Sequence, residues 1–330
     1  MPAGNSPEYA LLATVETRPD PAFARGVLEG LAQDPPAIPA RWFYDETGSQ
    51  LFDALTDLPE YYPTRTEIGI LGAAMGEIAE AVGPGRAVVD YGAGSLAKTP
   101  LLLDGIEPAL YAPVDISGVH LRASAEVLEK RFPGLPILPV EADFTRPFDL
   151  PAEVGDHPRL GFFPGSTIGN LVPSSAVDLL RSFRRTLGTG ALLLIGMDRV
   201  KDPARLVAAY DDAAGVTARF NRNLLERINR ELGGTVPVEA FAHEARWNAD
   251  LSRIEMHLVA RRDVRFEVDG QPFQMAEGDS IHTENSHKYT PESSQLLLSA
   301  GGWTVRRAWT DPAGDFSLLL ARADPERMAP

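Results

Sequence analysis

The 330-residue chain contains no cysteine. Disulfides are therefore excluded, and so are thiolate nucleophiles and thiolate metal ligands. Basic residues are not in excess either: 31 Lys and Arg stand against 46 Asp and Glu, a net charge of −15. So acidic a surface repels phosphate backbones and anionic headgroups, so no nucleic acid and no membrane is expected as partner, and a small-molecule substrate is. No apolar stretch is long enough to span a bilayer, and Met1 to Ala22 lacks the basic-then-apolar order of a secretory leader. Internal repeats and low-complexity tracts are missing as well. These absences predict a globular, cytoplasmic protein acting as a monomer.

What is present begins at Val88-Val89-Asp90-Tyr91-Gly92-Ala93-Gly94, an apolar run that breaks into a glycine-spaced turn, followed by Lys98 and a leucine-rich helical stretch from Leu101 to Leu103. Glycine has no Cβ, so backbone here can approach a ligand closely. Three further apolar runs follow at strand length. Tyr111 to Ser117 contains Asp115, Ile137 to Phe144 ends in Asp143-Phe144, and Leu160 to Ser166 passes through Gly165. A fifth spans Ala191 to Gly196. An acid at a strand's C-terminal end suits ribose hydroxyls, as at Asp115. At Asp143 it suits an adenine amino group, with the Phe144 ring against the base. Either acid alone reads equally as a helix cap. The third glycine of a dinucleotide fingerprint is missing: Ala97 stands there. Alanine is tolerated at that place, so a pyrophosphate is only weakly opposed, and a ligand with adenosine but no phosphate, such as S-adenosylmethionine, stays open.

Near the C-terminus, Gln295 to Leu298 reads as a helix, and Trp303 to Trp309 and Phe316 to Ala321, joined at Asp311-Pro312-Ala313-Gly314, read as a hairpin. An α/β protein whose parallel sheet closes with such a hairpin resembles the Rossmann-like class I methyltransferase fold. Between sheet and hairpin lies an insertion. Leu206, Tyr210, Val216, Phe220, Leu224, Ile228 and Leu232 recur at helical spacing, then Arg253 to Ala260 and Val264 to Val268 alternate like strands. The expected division is a cofactor-binding domain over 66–200 and 291–330, and a substrate-binding domain over 13–65 and 201–290.

Several longer motifs are more specific. Tyr44 to Phe52, Leu58-Pro59-Glu60-Tyr61-Tyr62-Pro63-Thr64-Arg65, Gly165 to Leu171, Ala209 to Thr217, Arg253-Ile254-Glu255-Met256 and Thr283 to Tyr289 resemble the signatures of the histidine-specific Nα-methyltransferases of ergothioneine biosynthesis. The resemblance covers about 40–322. It implies three methyl transfers from S-adenosylmethionine to the α-amino group of L-histidine, giving the betaine hercynine. It implies cofactor contacts at Gly92, Lys98, Asp115, Asp143 and Phe144. Substrate contacts fall on Tyr61, Asn170, Tyr210, Glu284 and Ser286, with Tyr44 and Met256 as further pocket positions. One departure is visible: His287 stands where the family often has tyrosine or cysteine.

The chemistry suits these residue types. Methyl transfer needs an amine with a free lone pair, held in line with a sulfonium carbon in a dry site, and no metal. Tyr44 and Tyr61 are the candidate catalytic pair, orienting the amine. Asn170 and Tyr210 offer neutral donors for the substrate carboxylate. Glu284 accepts from one imidazole N–H, and Ser286 serves the other nitrogen as donor or acceptor. Two rivals remain at this level. His282, Glu284 and His287 suggest metal ligands, since His282 and Glu284 would share a strand face, but no further ligand motif accompanies them. A non-catalytic S-adenosylmethionine-binding protein is the other. Within the enzyme reading, tryptophan is an alternative substrate, which an acid at position 284 disfavours.

Overall fold

The computed structural model describes residues 20–93, 96–116 and 118–325. Gly94 and Ser117, named in the loop and second-strand readings, residues 13–19 of the expected substrate-binding domain and residues 326–330 of the expected cofactor-binding domain lie outside the described residues.

Helix α1 (Pro21–Leu31) starts where the Asp20 carboxylate accepts from the Ala22 N–H, with proline at its first position. Asp45 caps α2 (Glu46–Thr56) in the same way through the Gly48 N–H. The longer α3 (Pro63–Val82) leads into the main sheet. There the chain alternates: β1 (Ala87–Tyr91), α4 (Thr99–Gly105), β2 (Leu110–Asp115), α5 (Gly118–Arg131), β3 (Val140–Glu141), β4 (Arg159–Phe163), α6 (Pro173–Leu187) and β5 (Leu192–Asp198). Every residue of β1 and β5 is buried, as expected for parallel strands covered on both faces.

The insertion follows, with α7 (Pro203–Tyr210), α8 (Val216–Leu232), β6 (Phe241–Asn248), β7 (Arg253–Ala260), β8 (Val264–Val268), β9 (Gln271–Met275) and β10 (Ser280–His287). Then α9 (Pro291–Ala300), capped by Thr290, precedes the hairpin of β11 (Trp303–Thr310) and β12 (Phe316–Ala323). The seven-stranded sheet runs β11-β12-β5-β4-β1-β2-β3. Its strands β1 to β5 pair in parallel, and β12 joins β5 antiparallel. This is the α/β, Rossmann-like class I arrangement expected from sequence. A separate three-stranded antiparallel sheet, β10-β7-β6, and the small β8-β9 ribbon belong to the insertion.

One apolar core joins Phe23, Val27, Trp42, Phe43 and Tyr62 to Leu206, Phe220, Leu224, Met256 and Ile281, so the N-terminal segment and the insertion pack on each other. Two further cores lie on the main sheet.

Three local readings need correction. The third strand is two residues long, not eight. Pro136 and Pro139 remove donors from the edge, leaving Ile137 an isolated bridge to Tyr111. The helical run from Leu206 to Leu232 is two helices, because Asp212 turns to accept the N–H groups of Val216 and Thr217. And His282 does not share a face with Glu284. The β10–β7 register shifts between them, so His282 pairs with His257 while Glu284 pairs with Met256.

Candidate active site

Along the C-terminal edge of the parallel strands, each candidate cofactor residue except Lys98 stands at or just past a strand end. Gly92 follows β1 at φ +76°, a conformation that favours glycine, and the space a Cβ would take is bounded by the Phe144 ring, 3.9 Å away. Asp115 is the last residue of β2. Asp143 lies past β3, where its Oδ1 accepts from the Thr145 N–H (3.0 Å) and hydroxyl (2.5 Å) and holds its own turn. Phe144 packs edge-on to Tyr91 and Phe163, both at 6.0 Å. Under this edge Asp90 is buried, accepting from Thr99 and Tyr111, both at 2.8 Å. Burial pushes its carboxyl up to about 6 against the pull of those bonds.

Lys98 precedes α4, and its Nζ lies 2.6 Å from Oε2 of the fully buried Glu67. The same Oε2 accepts the Gly165 N–H at 2.8 Å. Gly165 begins the turn after β4, at φ +80°, and Ser166 follows at φ +56°. The turn ends in the short helix Thr167–Asn170. At Gly169 a Cβ would lie 2.9 Å from the His287 carbonyl, so only glycine lets this turn rest against β10. The His287 ring answers from the other side, its Nδ1 donating to the Gly169 carbonyl at 2.8 Å. This departure from the family pattern thus braces the turn.

The turn forms one wall of a cavity that spans about 480 Å³ with its mouth. Tyr44, Phe52, Tyr61, Asn170, Tyr210, Phe220, Met256, Glu284 and Ser286 line it. All seven pocket residues expected from sequence are therefore brought together, and the five cofactor candidates lie outside, next door through Gly165 and Lys98. Tyr44 keeps 42% of its surface exposed, which puts it at the rim. Tyr61 and Tyr210 are buried, and burial raises both phenols well above their ordinary range, so they stay neutral donors. Asn170 Nδ2 donates to Glu284 Oε1 at 3.3 Å. Burial pushes the Glu284 carboxyl up to about 7, with the Lys288 charge pulling the other way.

Behind the cavity is a charged group that sequence reasoning missed. Lys288, wholly buried, contacts Asp198 Oδ2 (2.7 Å), Ser286 Oγ (2.7 Å) and Tyr210 OH (3.0 Å). Asp198 also pairs with Lys201 at 2.5 Å and accepts from Tyr62 OH at 2.7 Å. Burial raises the Asp198 carboxyl, but Lys288 and Lys201 outweigh it and the net shift is downward. Lys201 is pushed down to about 8, chiefly by burial. The signals were available. Asp198 ends β5 as Asp115 ends β2, and Lys288 lies two residues beyond Ser286.

On the far side of β7, Glu255, His257 and His282 bring ligand atoms within 4.8 Å of one another. The two imidazoles, however, are stacked at 4.8 Å with planes 16° apart, so their in-plane lone pairs do not converge. Both rings already have hydrogen-bond partners in Glu255, Ser280 and the Glu284 carbonyl.

Residues 23–323 match the family described as histidine-specific, S-adenosylmethionine-dependent methyltransferases. A histidine N-alpha-methyltransferase of Mycolicibacterium smegmatis is 44% identical over 91% of this chain and 94% of its own length. The ergothioneine biosynthesis protein 1 of Neurospora crassa is 31% identical over 84% of this chain, which spans 32% of that longer protein. A 4-dimethylallyltryptophan N-methyltransferase of Claviceps purpurea is 26% identical over 88% of this chain and 92% of its own.

Proposed function

Because the chain belongs to the histidine-specific, S-adenosylmethionine-dependent methyltransferase family, we propose that it methylates the α-amino group of L-histidine three times, giving hercynine for ergothioneine biosynthesis. The observation that carries this reading is the cavity in which Tyr61, Asn170, Tyr210, Glu284 and Ser286 meet, a lining whose carboxyl group suits an imidazole N–H.

The strand-end residues fit the methyl donor. Gly92 leaves room for close approach, Asp115 suits the ribose hydroxyls, Asp143 and Phe144 suit the adenine, and Lys98 supplies a cation for the amino-acid carboxylate. When bound, S-adenosylmethionine supplies a methyl carbon on a sulfonium, which an amine lone pair attacks in line. The chain's own groups position that amine. Tyr44 and Tyr61 orient it at the cavity rim. Tyr210 and the second N–H of Asn170 hold the carboxylate, the first N–H being on Glu284. Met256 walls the side-chain end, where Glu284 and Ser286 take the two ring nitrogens. The ammonium must lose a proton before each of its transfers, and the third leaves a quaternary nitrogen with none.

In this reading residues 66–200 and 291–330 form the cofactor-binding domain. Residues 13–65 and 201–290 form the substrate-binding domain. A cytoplasmic monomer is part of the same reading. No described helix is long and apolar enough to cross a membrane. The deciding experiment incubates the protein with S-adenosylmethionine and each common amino acid, read by mass spectrometry. Three methyl groups should appear on histidine and none on Nα-acylated histidine. Methylation of an imidazole nitrogen would overturn the assignment.

A further inference from the structure

Lys288 has three N–H donors and three acceptors around it: Asp198 Oδ2, Ser286 Oγ and Tyr210 OH. Its donors are therefore fully used, and none reaches the cavity. The two hydroxyls it holds are also joined to each other, Tyr210 OH to Ser286 Oγ at 2.7 Å. Each hydroxyl has one proton. One of the two protons must lie in the bond between them, so one is left for the cavity. Tyr210 and Ser286 cannot both donate to a ligand at once.

A ligand carboxylate decides which one does. A hydrogen bond to an anion is roughly twice as strong as a neutral one. A phenol facing a carboxylate therefore turns its proton to it. The Ser286 proton must then fill the bond to Tyr210. That leaves Ser286 with one free lone pair, the other being on Lys288, and no proton to offer. We infer that Lys288 is a positioning residue that makes Ser286 an acceptor toward the substrate ring, so that the imidazole binds together with one extra proton, shared with Glu284. This deepens the proposed function and rests on it, because it takes the substrate carboxylate to lie at Tyr210.

The extra proton follows from counting. Ser286 accepts one ring N–H. If the other ring nitrogen is bare, only a protonated Glu284 can bond to it. If it carries hydrogen, the ring is an imidazolium and Glu284 a carboxylate. Both forms hold one proton more than a neutral imidazole beside an ionised Glu284. The groups facing Glu284 allow this. Tyr44 and Tyr61 from the N-terminal segment, Tyr210 from α7 and Asn170 from the turn after β4 are neutral, and Lys288 is the cation beyond Ser286. With burial holding Glu284 near 7, the pair carries its proton readily at neutral pH.

The test is proton uptake on binding, measured by titration calorimetry in buffers of different ionisation enthalpy. The ligands are the trimethylated betaine and 3-(imidazol-4-yl)propionate, neither of which has a titrating amine. S-adenosylhomocysteine is present throughout. At about pH 8, above the ordinary imidazole range and above Glu284, wild type should take up about one proton per ligand. Ser286→Ala should lower the uptake toward zero, since neutral imidazole then suffices for Glu284. Lys288→Met should lower it too, because the hydroxyl pair regains freedom to donate. If Lys288→Met does not fold, wild type and Ser286→Ala decide alone. No uptake by wild type, or undiminished uptake by Ser286→Ala, overturns the inference. A protein that turns histidine into the betaine without proton uptake would refute this inference and leave the proposed function standing. Failure to methylate histidine would refute the latter.

Discussion

Gly92, Asp115 and Asp143 follow one another along the edge of a single sheet, each at or just past the end of a parallel strand. Tyr44, Asn170, Tyr210, Met256 and Glu284 instead reach their cavity from five separate segments between the N-terminal helices and β10. The first region is open and its groups are shallow: Asp115, Asp143 and Phe144 are half-buried, and Asp143 satisfies itself within its own turn. The second is deeper, with Tyr61, Tyr210 and Ser286 buried, and strongly charged beneath. Lys288, Asp198 and Lys201 form a buried ion group against which the hydroxyls of Tyr210, Ser286 and Tyr62 are fixed. A strand edge can gather weak contacts to a large nucleoside. A small amino acid needs fewer contacts, each held more rigidly.

The contrast breaks first at Asp198. Asp198→Ala would leave Lys288 buried beside no counter-charge, and the loss should be about 3–5 kcal/mol in denaturant unfolding. A loss as small as at a surface position would mean that the cavity is not built on this ion group. Next comes Glu284. Glu284→Ala should cost histidine roughly 10–100-fold in kcat/KM, about 1.5–3 kcal/mol for a charge-assisted bond. It should also narrow the ratio of histidine to tryptophan turnover, since space opens beside Met256. An unchanged ratio in a folded variant would show that Glu284 does not read the ring. On the other side of the comparison, Asp115→Ala should weaken S-adenosylmethionine binding by about 1.5–3 kcal/mol while changing histidine affinity less. Calorimetry showing equal losses for both ligands would erase the distinction between the two regions.

The last expected effect concerns pH. Burial raises Glu284 from its ordinary 4.5 to about 7 in the folded protein. The folded state then binds more protons than the unfolded between those values, so this group makes the protein less stable as pH rises through that window. Glu284→Gln should therefore be more stable than wild type above about pH 7, by up to about 3 kcal/mol for the full shift, and the gap should close toward pH 4 to 5. Parallel stability curves for the two proteins would contradict the burial argument.

How much of this could be read from the chain follows the same contrast. The strand ends announce themselves locally: an apolar run, then Gly92, or an acid such as Asp115. Where the apolar pattern failed, another feature of the backbone had won. Pro136 and Pro139 cut the third strand to Val140–Glu141, although its residues are apolar enough to continue. The Asp212 cap split a run that recurs mainly at four-residue steps, and it did so at the one six-residue step, from Tyr210 to Val216. The register shift at Thr283 separated His282 from Glu284, which strict alternation had joined. The cavity residues share no period, since they come from segments that only the fold brings together. They were found through the motifs that resemble the family. Asp198 and Lys288 were not found although their positions, at a strand end and two residues beyond Ser286, offered a signal; Glu67 was not found because it sits inside a helix and its charge is recognisable only with its partners beside it.

Glu67 gives the two regions a common member. A single oxygen, Oε2, receives both Lys98 from the strand edge and the Gly165 N–H from the cavity wall. The other, Oε1, is buried with no hydrogen-bond partner among the described residues, and a Cβ at Gly196 would lie 2.0 Å from it. A carboxylate so confined has no room to follow one neighbour without moving the other. Filling either side should then change the affinity of the other, and linkage requires the factor to be the same in both directions. The donor and the amino acid would thus report on each other's arrival through one atom of the helix that carries Glu67.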